Sequence, residues 1–155
     1  MDDVDESETL KRANAATDVL AKCNIPDVIA IDKGSPQSFK LQYFFTRDQI
    51  EKKHRSQLMS LLETNMKGYY DQTWGWDLAE KTNEIFSADS KFLILRSAES
   101  QSIAAWVMFK FDWDDLDEPE HPVLFCYEIQ VDAAFRGLGL GKVVGYNLIT
   151  LYFLF

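Results

Sequence analysis

Residues 136–142 read Arg-Gly-Leu-Gly-Leu-Gly-Lys. They follow a strand-like apolar run, Val123 to Val131, and open a helix-like one, Val143 to Phe155. Strand, glycine turn and helix together make an anion cradle. Glycines let the backbone approach a ligand closely, and the unpaired N–H groups of the helix's first turn point at it. Arg136 and Lys142 add positive charge. The spacing excludes two common phosphate loops. A Walker A loop needs glycine where Arg136 stands and Ser or Thr where Val143 stands. The dinucleotide fingerprint Gly-x-Gly-x-x-Gly does not fit glycines at 137, 139 and 141. What remains is Arg-x-x-Gly-x-Gly, or a glycine turn without a ligand.

The second chemical residue is Glu128, a carboxylate set among apolar neighbours in the run before the loop. A charge there must be paired, face a cleft, or be partly neutralised. Alternation places Tyr127 and Glu128 on opposite strand faces, and a bulge would re-aim one of them. A third unusual stretch, Tyr69 to Trp76, holds four large aromatics in eight residues. It reads either as a core plug at a turn or as an aromatic wall for a peptide or amine.

The 155 residues suffice for one domain, and a hydrophobic content of 46% argues for a packed core. The formal charge of −9 disfavours direct nucleic-acid binding and suits a basic peptide partner or simple solubility. Cys23 and Cys126 form no metal-ligand pair, and with only His54 and His121 a metal site is not expected. No run is long enough to span a bilayer, and no signal peptide is visible.

The elements that must position these residues follow from periodicity. Asp2, Asp3, Asp5, Glu6 and Glu8 make the first eight residues acidic, and a helix is expected from about Glu6 to Lys22. The segment from Asn24 to Pro36 reads as a loop. Phe39 to Phe45 reads as a strand with Phe39, Leu41, Tyr43 and Phe45 on one face. Thr46 is a candidate cap for a helix whose stripe is Ile50, His54, Leu58, Leu61, Leu62, Asn65, Met66 and Tyr69. A short helix over Asp77–Phe86, strands over Phe92–Leu95 and Ile103–Phe111, and an acidic loop ending at Pro122 complete the pattern. That loop, with Asp112, Asp114, Asp115, Asp117, Glu118 and Glu120, is either a solvated turn or a rim for a basic tail.

The glycine loop resembles the acetyl-CoA loop of the GCN5-related N-acetyltransferases. With Thr64-Asn65-Met66, Tyr70-Asp71-Gln72, Trp74-Gly75-Trp76, Phe109 to Asp112 and Cys126-Tyr127-Glu128 beside it, the segment from Thr64 to Lys142 resembles the NatD class of N-terminal acetyltransferases. The resemblance implies an α/β (α+β) acyltransferase fold, a mixed, mostly antiparallel sheet of about four strands flanked by helices. It implies an acidic tail, helix and loop over residues 1–38, and an acetyltransferase domain over 39–155 that ends before the family's C-terminal strands. It implies transfer of acetyl from acetyl-CoA to the N-terminal serine amine of histones 2A and 4, in nucleus and cytoplasm, by a monomer that needs no metal.

By the same resemblance Glu128 is the general base and Tyr127 positions the peptide. Tyr70 and Trp74 line the peptide N-terminus, and Asp112 holds the basic tail. Backbone groups of Ile129, Gln130 and Val131 bind pantetheine, while Arg136, Gly137, Leu138, Gly139, Leu140, Gly141 and Lys142 bind the diphosphate. The family continues past this helix with a strand that walls the pantetheine cleft, so a chain ending at Phe155 is expected to be weakly active or inactive. Two other readings stand beside this one: a non-catalytic peptide-binding module, and an acetyltransferase for lysine or a small amine.

Overall fold

The computed structural model describes residues 6–114 and 121–155. Five strands form one sheet in the order β1-β2-β3-β4-β5, and every neighbouring pair is antiparallel. The strands are β1 Val28–Asp32, β2 Pro36–Phe44, β3 Lys91–Ser97, β4 Ile103–Asp114 and β5 His121–Val131. The helices are α1 Glu6–Ala15, α2 Val19–Lys22, α3 Lys52–Tyr70, α4 Leu78–Ile85 and α5 Leu140–Tyr152. The sheet therefore has one strand more than expected and no parallel pair among the described residues.

The extra strand is β1, where the sequence reads as loop. Pro26, Gly34 and Pro36 punctuate the segment, yet Ile29 and Ile31 alternate and tuck against the core while Val28, Ala30 and Asp32 stay exposed. The turn closes on Gly34, at φ +90°, with its N–H donated to Asp32 Oδ1 at 3.1 Å. The expected first helix breaks in two, because the Ala16 carbonyl accepts from the Tyr43 hydroxyl at 3.3 Å instead of continuing the ladder. Thr46 caps a 3₁₀ turn, Arg47–Gln49, and not the long helix. Its side chain accepts the Asp48 N–H, and the Gln49 side chain reaches back to the Thr46 N–H. That turn lets α3 start six residues later, at Lys52.

β3 is buried along its whole length and β4 over Ile103–Phe109, as central strands covered on both faces must be. Period two sorts their side chains between two cores. Phe39, Leu41, Leu93, Leu95, Ala105, Val107, Phe109 and Phe111 face α1 and α5, packing with Ala13, Leu140, Val144, Leu148 and Leu151. Phe92, Ile94, Trp106 and Met108 face α3 and α4, packing with Leu58, Leu62, Ile85 and Phe86. Burying one such side chain contributes roughly 1.5–3 kcal/mol. Because α1 and β1 share the first core with β4 and α5, both elements pack into the same body as the residues that follow. The acidic segment 115–120 lies outside the described residues, so the expected docking rim is represented only by Asp112 and Asp114. Among the described residues, no helix is long and apolar enough to cross a membrane.

Candidate active site

β5 forms one edge of the sheet, and it carries a bulge. Glu128 pairs with Met108 and Cys126 with Phe109, which leaves Tyr127 with no partner on β4. The extra residue reverses the alternation below it. Above the bulge, Glu128 and Gln130 share the α3/α4 face with Met108 and Trp106. Below it, Phe125 joins that same face opposite Lys110, while Cys126 turns to the α1/α5 side opposite Phe109. Tyr127 is re-aimed as well. Its ring, 47% exposed, lies 6.0 Å from Phe125 and takes the Lys110 ammonium 5.1 Å from its centroid. Phe125, Tyr127 and Glu128 thus gather on one side of the strand.

Burial pushes the Glu128 carboxyl above the usual carboxylate range. Four groups modulate that. Gln130 donates to Glu128 Oε1 at 2.6 Å and favours the ionised form, as do the Lys81 ammonium and the Ile129 N–H, while the Glu84 carboxylate opposes it. Lys81 is the link to the aromatic stretch. It stands on α4 with its Nζ 3.0 Å from Glu84 and 4.8 Å from the centre of the Tyr70 ring. Tyr70 ends α3 and contacts Trp76 edge-on at 5.7 Å and Trp74 at 6.3 Å. Trp76 packs into the α3/α4 core, so part of the stretch is a core plug. Trp74 is 87% exposed and is free to contact a partner. Gly75, at φ +83°, lets the chain turn between the two tryptophans. The Asp71 carboxylate holds this turn by accepting from Lys67 Nζ at 2.6 Å and the Trp76 N–H at 3.2 Å, and the Lys67 hydrogen bond lowers its pKa. Asp112 lies on the same face of β4 as Met108, four residues away and so roughly 13 Å along the strand. It is too remote to touch a group at Glu128.

The other half of the site is a groove of about 700 Å³ between α3, β5 and the glycine loop. It is lined by Asn65, Ile129, Gln130, Val131, Arg136, Gly137, Gly139, Gly141, Lys142 and, from the β1–β2 turn, Lys33. Val131 and Ile129 turn their peptide groups away from β4, because antiparallel pairing engages alternate residues and the Asp132 N–H already bonds the Ala104 carbonyl. Their N–H groups therefore face the open edge, while Gln130 contributes through its side chain, which is 5% exposed. A 3₁₀ turn, Ala133–Phe135, leads to the loop, where Gly137 and Gly139 sit at φ +81° and +86°. A side chain there would be strained, although no atom lies within 4 Å of a Cβ built on either. The first bond of α5 runs from the Val143 N–H to the Gly139 carbonyl. Among the described residues, no protein acceptor takes the amides of Leu138 to Lys142. Five amides and the Lys33, Arg136 and Lys142 side chains thus fit a dianionic diphosphate, and the exposed strand edge fits an amide-bearing arm.

Lys33, Asn65, Lys81 and Glu84 are members of the site that sequence reasoning did not select. Asn65 lay on the helical stripe and in a quoted landmark, but nothing assigned it a role. Lys33 sits in a turn with no local signal. It reaches the loop, with Nζ 3.0 Å from the Gly137 carbonyl, only because β1 folds beside it. Among the described residues, no cluster of His, Cys, Asp and Glu could hold a metal ion. Cys126 is exposed, and burial of its sulfur together with the Glu128 charge raises its pKa, which makes it a poor nucleophile. A second cavity, of about 520 Å³ against α3 and α4, contains none of the site residues predicted from sequence.

An antiparallel sheet between helix layers, with a bulged edge strand feeding a glycine loop, defines an acyltransferase-like α+β protein. The acetyltransferase (GNAT) family model matches residues 55–153, and the chain belongs to that family. Solved structures agree on the fold at low identity. A mutant BH1408 protein of Bacillus halodurans superposes with a TM-score of 0.52 at 12% identity, covering 71% of this chain and 72% of that one. A GCN5-related glucosamine N-acetyltransferase region of a fungal multi-domain β-N-acetylglucosaminidase gives 0.54 at 13% identity, covering 77% of this chain and 13% of that one. A possible acetyltransferase from Clostridium difficile 630 gives 0.50 at 11% identity, covering 73% and 70%.

Proposed function

We propose that this acetyltransferase uses acetyl-CoA to acetylate the N-terminal α-amine of a basic protein tail, specifically the serine-initiated tails of histones 2A and 4. The observation that carries the reading is the position of Glu128. It is a desolvated, hydrogen-bonded carboxylate beside a bulge, linked through Gln130 to the groove and through Lys81 to the Tyr70 ring. An α-amino group has a pKa near ~8, so a carboxylate raised above its ordinary value is matched to remove its proton, directly or through a water. The bound co-substrate supplies an acetyl thioester. The outward Val131 N–H holds its arm, and the glycine-loop amides with Lys33, Arg136 and Lys142 hold its phosphates. Tyr127 and Tyr70 flank the amine, and an outward strand N–H donates to the developing oxyanion. Asp112 and the net charge of −9 suit a cationic segment further along the peptide. The histone assignment rests on the sequence landmarks, and with it go a monomeric enzyme and a place in nucleus and cytoplasm.

The test is acetylation of a Ser-Gly-Arg-Gly-Lys peptide, with the acetyl group mapped by mass spectrometry. Label on the serine α-nitrogen, lost with Glu128→Gln, is the expected result. Label on a lysine ε-nitrogen or on a small amine refutes the N-terminal assignment. Calorimetric binding of the peptide without binding of acetyl-CoA supports a non-catalytic module instead.

A further inference from the structure

Four side chains connect the glycine loop to the base by an unbroken series of hydrogen bonds. Arg136 Nη2 donates to Asn65 Oδ1 at 2.8 Å. Asn65 Nδ2 donates to Gln130 Oε1 at 2.7 Å. Gln130 Nε2 donates to Glu128 Oε1 at 2.6 Å. The direction of the series is fixed from its cationic end. A guanidinium can only donate, so it holds the oxygen of Asn65 toward itself and turns the amide nitrogen to Gln130. Gln130 must then present its own oxygen to Asn65 and its nitrogen to the carboxylate. Each amide has one correct orientation, and one flip would set oxygen against oxygen at the next joint. Two further bonds to the Val131 carbonyl, from Asn65 Nδ2 at 3.2 Å and Arg136 Nε at 3.3 Å, tie the series to β5.

We propose that Arg136, Asn65 and Gln130 form a positioning relay that fixes the donor aimed at Glu128, so that the cofactor loop sets the protonation state of the base. This rests on the reading of Glu128 as the base and adds a mechanism by which its ionisation is controlled. Neither Asn65 nor Gln130 needs to touch a substrate for this. With the relay intact, the carboxylate receives a hydrogen bond that its ionised form accepts more strongly than its neutral form, in a setting where burial favours the neutral form. With the relay broken, Gln130 is free to turn its oxygen to the carboxyl, which then holds its proton to higher pH. The other groups around Glu128 are Lys81 and Glu84 on α4, Cys126 and the Ile129 N–H on β5, and the apolar Met108 opposite it on β4. None of them is a member of the series.

The experiment titrates the Glu128 side-chain carboxyl by carbon-13 NMR in the free, full-length protein, alongside the pH profile of kcat. Asn65→Asp is nearly isosteric and still accepts from Arg136, but it cannot donate to Gln130, and it adds a negative charge that the neutral Asn65→Leu does not. It moves the Glu128 midpoint, and the acid limb of kcat, up by about one pH unit. That is close to a tenfold loss of rate on the acid side, recovered at high pH. Asn65→Leu does the same, and adding it to Gln130→Leu gives no further shift, because both cut the same series. Lys142→Leu, which removes a cation of the same loop that bonds none of the three, leaves the midpoint unchanged. An unmoved midpoint in a folded Asn65→Asp protein overturns the proposal, as do additive shifts in the double variant or an equal shift in Lys142→Leu. The NMR titration needs no turnover, so failure of the acetyltransferase reading and failure of the relay are read separately.

Discussion

Gly139→Ala separates a glycine required by the turn from one required by a ligand. Gly139 caps α5 at φ +86° and ψ 15°, and no atom lies within 4 Å of a Cβ built there. The substitution therefore meets strain but no clash. A left-handed conformation costs an alanine roughly 1–2 kcal/mol. The reduced freedom of the unfolded chain offsets about 0.4–1 kcal/mol of this. The net loss is about 1 kcal/mol, or about 2–4 °C in Tm for a domain of this size. Gly75→Ala is a matched control, with φ +83° and equally open space, and Gly75 does not line the groove. Both variants should melt a few degrees early and by similar amounts. Only Gly139→Ala should weaken CoA binding, because its methyl group stands where a phosphate must approach the loop amides. A loss of at least about tenfold in affinity, near 1.4 kcal/mol, is expected by titration calorimetry. Should Gly139→Ala bind CoA as tightly as the wild type while melting early, the glycine serves the turn alone and the cradle argument is wrong.

Glu128→Gln should lower kcat by about 10²–10⁴-fold with little change in CoA affinity, measured by steady-state kinetics and calorimetry. The same variant should be more stable than the wild type at neutral pH. A carboxyl whose pKa is raised by burial contributes stability fully below the unfolded glutamate value and loses it as pH rises through the folded value. The Tm gain should therefore be present at pH 8 and shrink as pH falls from the raised folded value to the ordinary glutamate value; a gain that grows on acidification contradicts the burial argument. Lys81→Met removes the ammonium that favours the Glu128 charge, so the acid limb of kcat should move to higher pH. Lys33→Ala should weaken CoA binding several-fold without lowering kcat at saturating acetyl-CoA.

The raised carboxyl follows from how β5 is built. A regular strand would have set Phe125 and Glu128 on opposite faces. The single unpaired residue at Tyr127 brings both to the α3/α4 side, where the core desolvates the carboxyl and α4 supplies one cation and one carboxylate. Local disruption of the ladder thus places the carboxyl and sets its surroundings. The strand's other edge leaves the Val131 N–H open to a ligand, while the Val131 carbonyl is taken by Asn65 and Arg136 and the Ile129 N–H faces Glu128. These features depend on one register shift, which is why substitutions at Met108 and Phe109 are expected to disturb the site without touching a substrate.

Most elements were legible in the sequence because their periodicities are local. The stripe of α3, the short helix α4 and the apolar runs Phe92–Leu95 and Ile103–Phe109 inside β3 and β4 need no tertiary information. The loop was legible because glycine at positive φ and an unpaired helix start are properties of a few consecutive residues. The elements read less well were those whose state depends on a distant partner. β1 is a strand because β2 lies beside it, and α1 stops where Tyr43 takes the carbonyl of Ala16. Glu128 could be singled out as a charge among apolar neighbours, and a bulge could be anticipated, but its position could not be fixed. The meeting of Lys33 with the glycine loop, of Lys81 with Glu128, and of Asn65 with both Gln130 and Arg136 spans separations that no local pattern encodes. Sequence by itself determined which residues can bind an anion or move a proton. Only packing of the two helix layers against the sheet decided which of them share one cleft, because hydrogen bonds and desolvation act over a few ångströms of space and not along the chain.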